Sequence, residues 1–285
     1  MPVYDGFMEP SPLAVSIITY RRSHLLDLCL RSLNVAMSLK RYPIYVVIQD
    51  ADSRDWDVLS KYKEIITEIT YVKKLDRGVE DLINSNRVIA WEKPLCRYGH
   101  KYVICLEDDV EVSRDIFEFT EAVLEQNAHS RNFWGINYGS FEKPDDTGSY
   151  SKLSYGIHGP ASLVGLKAFK KFKMEKLMKL KGAIPWDAWV EHLVKTGFMA
   201  TSNVSRYKDN GLRGTHASLS NDSDYFEKLN ESFEYGQSKP SERYYNYDLQ
   251  HHWRADCTVY RDKGRIRLIL RFMAVRTYQI LRSHL

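Results

Sequence analysis

The sequence predicts an α/β fold with a mostly parallel central sheet and helices on both of its faces. Three observations carry that reading. Short apolar, β-branched runs recur at Ala14–Thr19 (AVSIIT), Ile44–Ile48 (IYVVI) and Tyr102–Leu106 (YVICL). Each ends abruptly in polar or charged residues, and apolar residues at helical spacing lie between the runs. Strands that read as continuous apolar runs are buried on both faces, and their alternation with helices is the pattern of a parallel sheet. Open sheets of this kind bind ligands beyond the carboxyl ends of their strands.

The first run closes in Tyr20-Arg21-Arg22-Ser23 and is followed by Leu25, Leu26, Leu30 and Leu33, spaced for one face of a helix. The second closes in Gln49-Asp50-Ala51-Asp52. The third closes in Glu107-Asp108-Asp109; Val110-Glu111-Val112 follows, then a helix for which Ser113 is the expected N-cap. Farther on, Trp134–Phe141 reads as strand and turn, and Leu166–Lys181 as a basic helix. Pro185-Trp186-Asp187-Ala188-Trp189 opens another helix, and Asn203–Asn221 is a polar, glycine-containing stretch with turn chemistry. No internal repeat, low-complexity tract or long linker interrupts the chain.

With 44% hydrophobic and 27% charged residues over 285 positions, the composition excludes a disordered, collagenous or coiled-coil chain. No run approaches the roughly 20 apolar residues of a membrane-spanning helix. Met1–Pro12 carries Asp5 and Glu9 where a signal peptide would be basic and then apolar. Cys29, Cys96, Cys105 and Cys257 form no Cys-x-x-Cys pair, which points to reduced thiols. Together these give the expectation of a cytoplasmic protein, neither secreted by its own signal nor threaded through a membrane.

The net charge of +4 is uneven. Lys263–Leu285 holds six basic residues and no acidic one, leaving 35 basic against 37 acidic residues elsewhere. Ile266, Ile269, Leu270, Met273 and Ile280 share that tail at helical spacing. A basic amphipathic helix of this kind either lies on an anionic membrane surface or docks on its own domain. The slightly acidic body and the lack of any nucleic-acid-binding motif exclude nucleic acid as a partner.

Glu107-Asp108-Asp109 is the sharpest chemical signal. Three adjacent carboxylates at a strand end repel one another unless a cation or a basic group offsets them. A solvated acidic turn is the alternative reading of the tripeptide alone. Arg21-Arg22 and Asp50 follow the first two strands and so belong to the same sheet edge, where one nucleotide could be held by its phosphates, ribose and base. Asp187, just after Pro185, falls in a first helical turn, where the helix dipole favours an ionised carboxylate by about 0.3–1 kcal/mol.

The stretch VICLEDDVEVSRDIFEF (Val103–Phe119) resembles the Glu-Asp-Asp strand and following helix of glycosyltransferase family 13. Four further segments fall in the same order: IITYRRS (Ile17–Ser23), VVIQDAD (Val46–Asp52), PWDAW (Pro185–Trp189) and VSRYKDNGLRGTH (Val204–His216). The resemblance spans about residues 14–230.

It implies a GT-A type nucleotide-binding fold and an inverting, Mn2+-dependent (or Mg2+-dependent) glycosyltransferase. Such an enzyme transfers a sugar, GlcNAc or a related hexose, from a UDP-sugar donor to a glycan acceptor. It implies Asp109 as direct metal ligand and Glu107 and Asp108 as its support, Asp108 at the ribose. Arg22 and Asp50 would contact the uridine part of the donor, and Asp187 would be the catalytic base. Ser205, Arg206 and His216 would belong to a loop closing over the donor, His216 the weaker candidate. Trp186, Trp189 and Tyr155 would lie on the acceptor side.

On this reading residues 1–262 form one catalytic domain, donor-binding over about 14–125 and acceptor-side over 126–262, followed by the basic helix of 263–285. The chain departs from the family in lacking its anchor and stem and in having Ala188 in place of a second Asp. If the tail binds a membrane, a lipid-linked acceptor at the cytoplasmic leaflet follows. The competing readings are a GT-A transferase with another donor such as a GDP-sugar, a nucleotidyltransferase, and a noncatalytic glycan-binding protein that keeps the fold. A nucleotidyltransferase would show a Gly-rich phosphate loop after the first strand, and Tyr20-Arg21-Arg22-Ser23 has none.

Overall fold

A computed structural model describes residues 11–37, 41–73, 78–140, 150–153, 157, 160–193, 197–211 and 229–233. His216, Tyr155, Cys257 and the basic tail from Lys263 lie outside the described residues.

The three apolar runs are strands: β1 (Leu13–Tyr20), β2 (Ile44–Gln49) and β4 (Tyr102–Glu107), with a further strand, β3 (Ile66–Val72), between the last two. Alternating side chains of these strands enter two separate cores. Val15, Ile17, Ile44, Val46, Ile48, Ile104 and Leu106 pack with α1 (Ser23–Ala36), α2 (Ser53–Lys61) and α4 (Ile116–Asn127) on one face. Val47, Val103 and Cys105 face the other way. There they meet Trp91 of α3 (Val79–Glu92), Ala168 and Phe172 of α5 (Leu166–Phe172), Leu177 of α6 (Met174–Met178) and Trp186 of α7 (Trp186–Leu193). Two-sided burial is the physical reason the strands read as unbroken apolar runs.

Among the described residues the main sheet has eight strands, in the order β3-β2-β1-β4-β8-β6-β9-β7. The later strands are β6 (Phe133–Asn137), β7 (Tyr150–Leu153), β8 (Ala161–Gly165) and β9 (Phe198–Ser202). Pairing is parallel across β3, β2, β1 and β4 and again between β6 and β9, and antiparallel at β4–β8, β8–β6 and β9–β7. The expected mostly parallel α/β sheet is therefore present, with antiparallel pairs confined to its second half. Gly135 permits the β6–β8 contact, because a Cβ there would stand 1.9 Å from the Leu163 carbonyl oxygen.

Three local expectations need correction. Ser113 does not cap the helix after the acidic motif: α4 begins at Ile116, and the Ser113 hydroxyl donates to Asp115 Oδ1 at 2.7 Å. The basic helix expected over Leu166–Lys181 is split into α5 and α6 by Lys173, whose φ of 50° cannot continue a right-handed helix. The polar stretch from Asn203 is not all turn: β10 (Tyr207–Asp209) pairs antiparallel with β5 (Val110–Val112) in a small second sheet. Among the described residues no helix is long and apolar enough to cross a membrane.

Candidate active site

The connection from β1 leads to β2 on one side, whereas β4 pairs on the other, so the strand order reverses between β1 and β4. A crevice outside the carboxyl ends at such a reversal is where open α/β sheets place ligands. The register Ile18↔Glu107 sets the ends of the two strands side by side, and the Asp108 amide donates to the Ile18 carbonyl at 3.1 Å.

Across this crevice Arg22 meets the acidic motif. Its guanidinium pairs with Asp108 and, through Nη1, with Asp109 Oδ2 at 2.8 Å. Asp108 is fully buried and also accepts from the Thr19 hydroxyl at 2.7 Å and the Tyr20 amide at 3.3 Å. Burial, with Asp109 nearby, still pushes the Asp108 carboxyl up to about 7 although Arg22 opposes the shift. Burial alone would lower the Arg22 pKa; Asp108, Asp109 and Glu107 outweigh it and hold the guanidinium charge more firmly.

Asp50 lies beside this pair at the end of β2. It forms an ion pair with Arg21 at 2.7 Å, and the Arg21 Nε donates to the Asp50 carbonyl at 3.1 Å. Both residues have left-handed backbones, with φ of 50° and 51°. Non-glycine residues held there are uncommon and concentrate at functional sites.

Glu107 turns to the other side of the sheet, where α3 supplies an arginine that the sequence reading did not single out. Arg87 is 1% exposed, pairs with Glu107, and donates from Nη1 to Cys105 Sγ at 3.1 Å. Its guanidinium carbon lies 4.3 Å from the Trp186 ring centroid and 5.9 Å from that of Trp91, and the two indoles meet edge to face. Burial would lower the Arg87 pKa, but Cys105, Glu107 and Asp187 raise it. Glu107 is raised by burial and by Asp109 and Asp187, against the pull of Arg87 and Arg22.

Asp187 occupies the exposed first turn of α7, next to buried Trp186. The chain Glu107–Arg87–Trp186 thus ties the helix that carries Asp187 to the end of β4. No simple pattern marked Arg87, because the buried face of α3 is largely polar: Asp81, Asn84 and Asn86 are buried with it, beside Ala90 and Trp91.

Ser205 and Arg206 point elsewhere. The Ser205 hydroxyl donates to the Tyr207 carbonyl at 2.7 Å, and its amide donates to the Ser232 hydroxyl at 3.0 Å. Arg206 pairs with Asp115 at 3.3 Å and covers the Phe119 ring at 4.9 Å. The Trp189 indole donates to the Phe172 carbonyl at 2.6 Å, and Trp186 is engaged by Arg87, so both rings take part in packing.

A second residue absent from the sequence reading is Asp209, at the end of β10. It is 7% exposed, as Asp109 is, and its register partner is Val110, the residue after Asp109. Burial and the neighbouring Asp109 push its carboxyl up to about 7, while the Gly211 amide pulls it down. Nothing in the local pattern marks it, because a three-residue strand in a polar stretch has no periodicity to read.

Among the described residues no group of three or more His, Cys, Asp or Glu side chains is arranged to hold a metal ion. The donor set nevertheless fits a hard divalent cation of the Mg2+ or Mn2+ type. Such ions take one or two carboxylates and complete their shell with water and substrate phosphates. Asp109 Oδ1 is buried with no hydrogen-bond partner, which leaves a carboxylate oxygen for that purpose.

No protein-family model matches the chain, and no curated protein matches it by sequence. Among solved structures it is similar to a mannosyltransferase from Pyrobaculum calidifontis in complex with GDP-Man and Mn2+. That match has 14% identity and a TM-score of 0.41, and covers 74% of this chain and 62% of the other. The chain therefore spans less than two thirds of that neighbour's length. It is also similar to an apo UDP-glucose pyrophosphorylase, at 7% identity and a TM-score of 0.41, covering 79% of this chain and 99% of the other. Likenesses at these values carry no functional argument; the sheet and its carboxyl-end cluster carry it.

Proposed function

We propose that this chain is a metal-dependent, inverting glycosyltransferase with a GT-A type fold that transfers a sugar from a UDP-sugar to a glycan acceptor. The observation that carries the reading is the meeting of Arg22 with Asp108 and Asp109 at the reversal between β1 and β4, flanked by Asp50 at the end of β2. That crevice offers cationic and carboxylate groups at the one edge where a doubly wound sheet binds nucleotides.

Arg21 and Arg22 supply positive charge for phosphate, and Asp50 supplies an acceptor for ribose or base. Asp109 would hold the divalent cation, with Asp108 fixed behind it by Thr19 and Arg22. When bound, the cation offsets negative charge on the departing diphosphate. Asp187, in the first turn of α7, takes the proton from the acceptor hydroxyl as that oxygen attacks the anomeric carbon. Attack on the face opposite the leaving group inverts the centre. The basic tail from Lys263 would bring the enzyme to an anionic membrane surface and a lipid-linked acceptor, with the protein on the cytoplasmic side.

Two variants test the assignment. Asp109→Asn should remove Mn2+-dependent UDP binding measured by calorimetry. Asp187→Asn should bind UDP with near wild-type affinity and lose roughly 100- to 10,000-fold in turnover, the range for a missing general base. Unchanged UDP affinity in the first variant would remove Asp109 as ligand. Near-normal turnover in the second would remove Asp187 as base.

A further inference from the structure

Four carboxylates gather at the end of β4: Glu107, Asp108, Asp109 and, from β10, Asp209. The described ion pairs at this cluster bring in two guanidinium groups, Arg22 on Asp108 and Asp109 and Arg87 on Glu107. With all four ionised, two negative charges remain. None of the salt bridges among the described residues reaches Asp209.

Backbone geometry brings Asp209 to Asp109. The β10–β5 ladder sets Asp209 opposite Val110, and the Asn210 amide donates to the Asp109 carbonyl at 2.9 Å. Gly211 lets the chain pass close to both side chains: a Cβ there would stand 2.6 Å from Asp109 Oδ2 and 2.9 Å from Asp209 Oδ1. Any other residue would collide with both carboxylates.

Each carboxylate has one oxygen already engaged. Asp109 Oδ2 accepts from Arg22 at 2.8 Å, and Asp209 Oδ1 accepts from the Gly211 amide at 2.7 Å. Asp109 Oδ1 is buried without a hydrogen-bond partner. An anionic oxygen shut away from water with no donor is a large local penalty unless a cation meets it.

We propose that Asp209 is a second protein ligand, beside Asp109, for a divalent oxygen-seeking cation of the Mg2+ or Mn2+ type. This rests on the reading of Asp109 as a metal ligand and extends it: β10 and the close turn at Gly211 become part of the metal site. A double charge balances the excess of the cluster, and oxygen-only donors suit these ions. Two carboxylates also give the chain a hold on the ion before any nucleotide arrives, whereas one carboxylate relies on substrate phosphates to complete the grip.

The test measures Mn2+ binding to the full-length chain by electron paramagnetic resonance of the free ion, with and without UDP, so the readout is independent of turnover. Asp209→Asn keeps the size of the side chain and removes like-charge repulsion, and its thermal unfolding confirms a folded protein. The wild type should bind Mn2+ without UDP. Asp209→Asn should weaken binding by at least the roughly 10-fold that loss of even an outer-shell partner costs. Asp109→Asn should weaken it further. If Asp109→Asn loses Mn2+ while Asp209→Asn binds like wild type in both conditions, Asp209 is not a ligand and the single-carboxylate reading stands. If neither substitution changes Mn2+ affinity, the metal reading of Asp109 falls together with this one.

Discussion

Thr19, Arg22 and the Tyr20 amide all converge on Asp108, so that carboxylate is fixed by the end of β1. Asp109, next along the chain, also pairs with Arg22, and the β10–β5 ladder brings Asp209 near it. The electrostatic state of the cluster makes a prediction for the metal-free protein. Asp209 titrates from an ordinary value of 3.8 when unfolded and is pushed up to about 7 when folded, by burial first and by Asp109 second. A raised folded pKa means the native state binds the proton more tightly. The stability it contributes is complete below pH about 4 and is lost as pH rises through about 7. Asp209→Asn cannot ionise and escapes that loss. Without metal, the variant's melting temperature relative to wild type should therefore rise steadily between pH 4 and pH 7.5. A difference that does not vary with pH would mean that Asp209 keeps an ordinary carboxylate pKa in the fold.

At the scale of elements, Arg87 does what no single strand or helix could do for itself. It joins β4 to α3 through Glu107 and Cys105, and α3 to α7 through the Trp186 ring. Because the guanidinium is flat and offers several donors, it can stack and pair at once, which a lysine cannot reproduce. Arg87→Met fills the space but removes both interactions and leaves Glu107 without its partner. Breaking a fully buried pair costs about 3–5 kcal/mol. Here Glu107 still reaches solvent, its side chain 34% exposed, so the expected loss is about 2–3 kcal/mol in urea denaturation. A loss below about 0.5 kcal/mol, the range of ordinary surface changes, would show that α7 is held by its apolar contacts alone.

The whole molecule sets the ends of three parallel strands in one crevice, with helix α7 tied to the end of β4 through Arg87 and Glu107 from the opposite face. A ligand that bridges Arg22, Asp50 and Asp109 binds only when β1, β2 and β4 are assembled, so it should stabilise the entire fold by mass action. UDP or a UDP-sugar with Mn2+, at about 100 times its dissociation constant, should raise the melting temperature by roughly 5 °C or more. GDP and CMP counterparts should raise it less. Equal shifts with all three would remove uridine as the recognised base.

How much of this was readable without the fold follows from the kind of burial each segment experiences. Leu13–Tyr20, Ile44–Gln49 and Tyr102–Glu107 are covered on both faces, so they stand out as apolar runs, and their polar ends announce the crevice. α7 was legible from Pro185 and the apolar stripe behind it. Tyr207–Asp209 was not, because its partner Val110–Val112 lies about a hundred residues away and three residues show no period. The break at Lys173 was also hidden, since a left-handed residue between two amphipathic turns leaves the apolar spacing intact.

By itself, the order of residues determined a two-faced α/β sheet and an acidic, arginine-flanked edge, because burial on both faces and a sudden change to charge are local properties of a strand. Only the tertiary structure decided which charges meet. The pairing of Arg22 with Asp108 and Asp109, the buried bridge from Glu107 through Arg87 to Trp186, and the approach of Asp209 to Asp109 all depend on segments far apart in the chain. Their contacts are set by strand register and packing.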